Sequence, residues 1–267
     1  LRVLGGLQKA NSGSPTAFGD DCWRARRALH TKLGYLAQRF ALYGDLTVDE
    51  NIQFFALMYG VPEWRKRRRE LLDLVGLAPF NDRLAERLSG GMKQKLALAC
   101  TLMHSPRALL LDEPTTGVDP VTRREFWRLL ADLVSDGLTL LVATPYLDEA
   151  ERCTRVLLMH EGSILADARP QDIPDLMPGA VVEVAATPRP AAAEALSSLD
   201  TVVDVSVFGT TLHAHFVDEP DPVGAIRKAL DTPEIDIESA HEIPAGLEDT
   251  FLYLTRKTIP ALSTEAS

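Results

Sequence analysis

Apolar positions change their period along the 267 residues of this chain. From Thr47 to Gly76 they recur at helical spacing, as Ile52, Phe55, Leu57 and Met58 and then Leu71, Leu72 and Val75, and Pro62 predicts a break into two helices. Ser89 to Leu102 reads as a further helix with a Ser cap. Leu1–Leu7 also has helical spacing and ends at Gly5-Gly6, and two short strand-like pieces follow around Ser14–Phe18 and Leu33–Leu36. Ala108–Leu111 and Leu138–Ala143 are continuous apolar runs, as expected of strands buried on both faces of a parallel sheet. Thr122–Asp136 and Leu147–Cys153 read as helices between and after them. Arg155–Met159 and Ser163–Asp167 flank Glu161-Gly162, a hairpin signal. This succession of strand, helix and strand predicts an α/β fold with a parallel-sheet core.

The character shifts near Asp175. Val181–Ala185 is strand-like, Ala191–Leu199 helical, and Val202–Phe208 with Leu212–Phe216 forms a hairpin around Gly209-Thr210-Thr211. Pro222–Leu230 is helical and Ile235–Ser239 is strand-like, which completes the β-α-β-β-α-β order of an α+β ferredoxin-like extension. The expected organisation is a first domain over 1–170 with a helical subdomain at about 45–100. An extension over 175–256 follows, closed by a helix at Gly246–Arg256, and then a disordered tail over 257–267.

Composition narrows the function. The net charge of −10 argues against a nucleic-acid-binding surface, and no nucleic-acid partner is expected. Cys22, Cys100 and Cys153 have no disulfide or zinc spacing. No apolar run reaches the length of a membrane span.

Two stretches carry the chemistry. Leu-Ser-Gly-Gly-Met-Lys-Gln at 88–94 puts a Ser cap and two glycines at a helix start, where backbone N–H groups and a hydroxyl suit a phosphate, although an ordinary helix start reads equally well. Leu109-Leu110-Leu111-Asp112-Glu113-Pro114 is a buried strand ending in two adjacent carboxylates at the sheet edge where α/β ligands bind. One carboxylate can hold Mg²⁺ while the next orients or deprotonates water. Gly117-Val118-Asp119-Pro120 follows at once.

In this order and spacing the motifs resemble the ABC ATPase family over residues 1 to about 170. The resemblance implies a P-loop NTPase-like cassette with an α-helical subdomain. Leu88–Gln94 would be the signature sequence, Asp112 and Glu113 the end of the Walker B strand, and Asp119 part of the D-loop. Gln38, in Gly34-Tyr35-Leu36-Ala37-Gln38, looks like the Q-loop glutamine. By the same likeness Asp112 and Gln38 would serve Mg²⁺, Glu113, Gln38 and Asp119 the reaction, and Ser89, Gly90, Gly91 and Gln94 the ATP held by an opposite cassette. The implied partners are that second cassette (identical, different, or tandem in one chain) and a transmembrane permease of the ABC-2 type. The implied place is the cytoplasmic face of the cell membrane.

Two departures stand out. The 267 residues contain no G-x-x-x-x-G-K-[ST], and Leu1–Leu7 resembles the helix that follows such a loop. The chain therefore reads as truncated before or within the P-loop helix, and by itself is expected to hold nucleotide phosphates poorly. The second departure lies in Ala143-Thr144-Pro145-Tyr146, where the family's switch His is replaced by Pro145, which has no side-chain donor and no N–H. Impaired rather than absent hydrolysis is expected there. With the ferredoxin-like extension, the chain looks like a drug-exporter cassette, and most like the first of a tandem pair.

The alternatives are a DNA-repair or translation ATPase, or a non-catalytic regulatory cassette. The roughly 50-residue insert between Gln38 and Leu88 disfavours the DNA-repair type, and the acidic charge disfavours both the repair and the translation types. Trp64-Arg65-Lys66-Arg67-Arg68-Arg69 reads either as a solvated helix face or as a contact with lipid headgroups or the permease.

Overall fold

Leu1–Leu7 does not form the expected helix. It makes one hydrogen-bonded turn, in which the Gly5 N–H donates to the Leu1 carbonyl at 2.9 Å, and Gly6 at φ +66° ends it. Each glycine costs a helix roughly 1 kcal/mol relative to Ala, which outweighs so short an apolar pattern. In the computed structural model, which describes residues 1–38 and 41–258, the chain divides into two units, Leu1–Pro145 and Tyr146–Ser267.

In the first unit, β1 (Thr16–Ala17) and β2 (Asp20–Asp21) form a tight hairpin through Phe18 and Gly19, both at positive φ. There follow α1 (Arg26–Leu29), β3 (Leu33–Leu36), α2 (Val48–Met58), α3 (Trp64–Leu74) and α4 (Gly90–Leu102). β4 (Ala108–Asp112), α5 (Pro120–Ser135) and β5 (Thr139–Ala143) complete the unit. The expected break at Pro62 falls between α2 and α3. A capping box starts α2, with Thr47 accepting from the Glu50 N–H and Glu50 accepting from the Thr47 N–H. Val48, Ile52 and Ala56, spaced by four, are fully buried on the inner side of α2.

β3, β4 and β5 form a parallel sheet with β4 in the middle, and Leu109 and Leu111 are fully buried. β5 departs from the expectation of a strand buried on both faces. Its Leu140 to Ala143 are half-buried and Thr139 is exposed, so among the described residues its faces are covered less completely than those of β4.

The second unit opens with α6 (Leu147–Ala150) and the hairpin of β6 (Val156–His160) and β7 (Ser163–Ala168), which turns at Glu161 and Gly162, both at positive φ. Then come β8 (Ala180–Thr187), α7 (Arg189–Ser197), β9 (Val202–Phe208), β10 (Thr211–Phe216), α8 (Pro222–Ala229), β11 (Asp236–Ile243) and α9 (Leu247–Thr258). The antiparallel sheet has the order β11-β8-β10-β9, the ferredoxin-like arrangement. Its core joins Val182, Val184, Leu212, Ala214 and Phe216 with Leu196 of α7 and Ile226 of α8. His213, on the other face of the sheet, meets Asp249 of α9, Nδ1 to Oδ1 at 2.8 Å. β11 runs to Ile243, beyond the strand expected at Ile235–Ser239. The tail expected to be disordered lies, from residue 259 on, outside the described residues.

Candidate nucleotide site

The carboxyl end of β4 gathers the sequence-predicted acids. Asp112, half-buried, accepts a hydrogen bond on Oδ2 from the Tyr35 hydroxyl at 2.7 Å. Burial, and then the hydrogen bond and charge of Asp112, push the Tyr35 phenol up to about 12, so it remains a donor throughout the physiological range. Glu113 turns away from Asp112 by more than strand alternation. It adopts φ 48°, a left-handed conformation that costs a non-glycine residue roughly 1–2 kcal/mol. Its N–H donates to the Ala143 carbonyl at 2.8 Å, which ties the carboxylate to the end of β5. Glu113 Oε2 accepts from Gln38 Nε2 at 2.8 Å and from Thr116 Oγ1 at 3.2 Å. Residues 38 and 113, 75 apart in sequence, are thus joined because parallel β3 and β4 end side by side.

The expected phosphate-facing turn is divided. Ser89 caps α4, accepting from the Met92 N–H at 3.3 Å, and its own hydroxyl proton is left for another acceptor. Ser89 and Gly90 are exposed, and a Cβ on Gly90 would meet nothing within 4 Å, so an anion can approach its backbone. Gly91 is buried against Thr122, whose side chain a Cβ there would strike. Gly91 is therefore needed for helix packing, and Gly90 for open backbone. Gln94 is 2% exposed, on the packed side of α4 and not beside Ser89 and Gly90 at the surface.

Asp119 caps α5. Its Oδ1 accepts from the N–H groups of Val121 and Thr122 at 3.1 and 3.0 Å. Hydrogen bonds from Thr122, first through its side chain and then its backbone, hold this carboxyl below its ordinary range. Pro145 is exposed, two residues past the Ala143 carbonyl that accepts from Glu113. Tyr35 and Thr116 were not among the sequence-predicted residues. Their only signal was position, one beside the acids in β3 and the other three residues past Glu113.

Residues 1–116 match the model of the ABC transporter family. Over 262 residues the chain is 30% identical to the daunorubicin resistance ATP-binding protein DrrA2 of Streptomyces coeruleorubidus, covering 96% of this chain and 81% of that protein. It is 35% identical over 259 residues to the Nod factor export ATP-binding protein I of Burkholderia thailandensis, covering 96% and 83%. The chain belongs to the ABC transporter ATP-binding family. A probable multidrug ABC transporter ATP-binding protein of Escherichia coli, YbhF, is 42% identical over 259 residues, which are 95% of this chain and 44% of YbhF. The chain thus spans less than half of that relative. Among solved structures, CbiO1 of Clostridium perfringens, part of the ABC transporter complex CbiONQ, superposes with a TM-score of 0.59 at 27% identity over 64% of this chain and 72% of that one.

The arrangement of this ABC chain fits a magnesium nucleotide. Among the described residues no three metal-ligating side chains cluster, so no all-protein cage is built. Asp112 Oδ1 and the Gln38 amide oxygen make no hydrogen bond among those residues, and two such hard oxygens suit Mg²⁺ carrying phosphate oxygens and water. No helix among the described residues is long and apolar enough to cross a membrane.

Proposed function

We propose that this chain is the energy-coupling ATP-binding part of an exporter, working in a pair of cassettes against an ABC-2-type permease at the inner face of the membrane. The observation that carries the reading is the hydrogen bond between Gln38 and Glu113 beside a separately held Asp112. It supports reading Asp112 as a cation-binding carboxylate and Glu113 as a water-activating one. Asp112 and Gln38 would hold Mg²⁺, which when bound neutralises charge on the transferred phosphoryl group. Glu113, fixed through its N–H and oriented by Gln38 and Thr116, takes the proton of the attacking water. Ser89 with the Gly90 and Gly91 N–H groups offers donors to the nucleotide of the facing cassette, and Asp119 shapes the turn that follows Glu113.

The cassette would extend through the β6–β7 hairpin to about residue 170, with the ferredoxin-like part following it. Export is supported by the names of the relatives, a multidrug protein, a daunorubicin resistance protein and a Nod factor export protein. The substrate is chosen by the permease. With Pro145 at the switch position, the site containing Glu113 is the weaker of the pair. Because no phosphate loop of the G-x-x-x-x-G-K-[ST] type lies within these 267 residues, they hold ATP weakly when alone. The test is Glu113→Gln in the full-length protein with its partner. Turnover at this site should fall by about 10²–10⁴ while ATP-dependent association persists. Turnover left unchanged would remove Glu113 from the role of base.

A further inference from the structure

The run from Trp64 to Arg69 takes no part in the nucleotide site. It forms the first half of α3, and two of its five cations are neutralised, Arg67 by Glu70 at 3.3 Å and Arg68 by Asp49. Among the described residues Lys66 and Arg69 have no carboxylate within ion-pair distance, and the Arg65 guanidinium lies over the Trp64 ring, 4.8 Å from its centroid. Arg65, Lys66 and Arg69 are exposed.

This placement does not help the helix. Cations in a first turn oppose the macrodipole, α3 has no acid in its first turn, and Glu63 at the N-cap adopts φ 51° and makes no side-chain cap. The ion pairs of Arg67 and Arg68 and the Arg65–Trp64 contact aside, Lys66 and Arg69 add charge that the helix itself does not use. A second, independent feature lies beside them. α2 ends with Leu57 and Met58, 63% and 55% exposed, and residues 60–63 lead directly into α3. The apolar side chains and the cations consequently occupy the same end of one helical hairpin, with the Trp64 indole half-buried between them in sequence.

Exposed aliphatic side chains, an indole and cations without a carboxylate partner, gathered at one end of a helical hairpin, are the composition that meets the headgroup region of a bilayer. We propose that the α2–α3 corner docks on an anionic lipid surface, with Arg65, Lys66 and Arg69 on headgroup phosphates and Leu57 and Met58 entering the acyl boundary. The inference rests on the reading of the chain as a membrane-associated cassette. Charge complementarity favours this occupant. Residues 63–70 hold five cations against Glu63 and Glu70, a local +3 within a chain of −10, so the corner is attracted to an anionic surface that the molecule as a whole is repelled by.

The test is co-sedimentation of the full-length protein with vesicles of phosphatidylglycerol and phosphatidylcholine, and with vesicles of phosphatidylcholine alone. The protein should bind the anionic vesicles, less so as salt rises. At about 1 kcal/mol per cation, loss of the three positive charges in Arg65→Glu/Lys66→Glu/Arg69→Glu alone should weaken partitioning about a hundredfold, the added carboxylates should weaken it further, and Leu57→Ser/Met58→Ser should also weaken it. All five positions are exposed, so both variants should keep the parent melting temperature. Equal binding to the neutral vesicles, or binding unmoved by charge reversal, overturns the proposal. So does a charge-reversed protein that keeps vesicle binding and loses co-purification with the permease in detergent, since that assigns the corner to protein. ATP-dependent association, measured on the same samples, judges the cassette reading separately, because none of these residues is in the nucleotide site.

Discussion

At the scale of single residues, the structure assigns tasks that residue type left open. Tyr35 holds Asp112 through one hydroxyl, and Tyr35→Phe removes it at a cost of about 1 kcal/mol. Freed of that bond, Asp112 should also bind Mg²⁺ less selectively over larger cations, which nucleotide affinity measured in Mg²⁺ and in Ca²⁺ would detect. Pro145 predicts a gain: Pro145→His should raise turnover of the full-length protein, and a rate unmoved by the change sinks the idea that this position limits hydrolysis. His104 gives a pH prediction. Burial, opposed by its contact with the Leu33 carbonyl, holds its imidazole below the ordinary value of 6.5. A folded-state value below the unfolded one means that its contribution to stability is complete above pH 6.5 and declines as pH falls below it. The melting temperature of the parent should fall between pH 7.5 and 5.5 by more than that of His104→Asn.

At the scale of elements, the helix starts decide the site. α4 begins with a Ser cap and two glycines of different purpose. Gly91→Ala should destabilise the protein by about 1–3 kcal/mol through collision with Thr122, and Thr122→Ser, which removes the methyl group that is struck, should restore part of the loss. Gly90→Ala has room, and should leave stability nearly unchanged while weakening stimulation of the facing site. α5 begins at Pro120 behind the Asp119 cap, two residues before the start expected at Thr122. Capping chemistry sets a boundary that hydrophobic spacing alone misplaces.

At the scale of the whole molecule, the proposed function has the Ser89–Gly91 turn act on a nucleotide held by a facing cassette. Ser89→Glu, which sets a negative charge where a phosphate should come, is expected to abolish turnover at the opposite site of a mixed pair and to spare its own. Equal loss at both sites in single-turnover assays would contradict this division. The sequence by itself determined the order of elements from β3 onward, the Pro62 break and the ferredoxin-like topology, and it singled out Ser89, Asp112 and Glu113 as candidates. Each of these is carried by a local period, a cap or a motif read within a few residues. The false helix at Leu1–Leu7 shows the limit of that reading, since apolar spacing does not register the entropy of adjacent glycines. Tertiary structure alone decided the rest: the half-buried state of β5, the pairing of Gln38 with Glu113 and Tyr35 with Asp112, and the demand for glycine at 91. Those depend on which strands end side by side and which helix lies against which, and residues 75 or more apart leave no periodic trace of where they will meet.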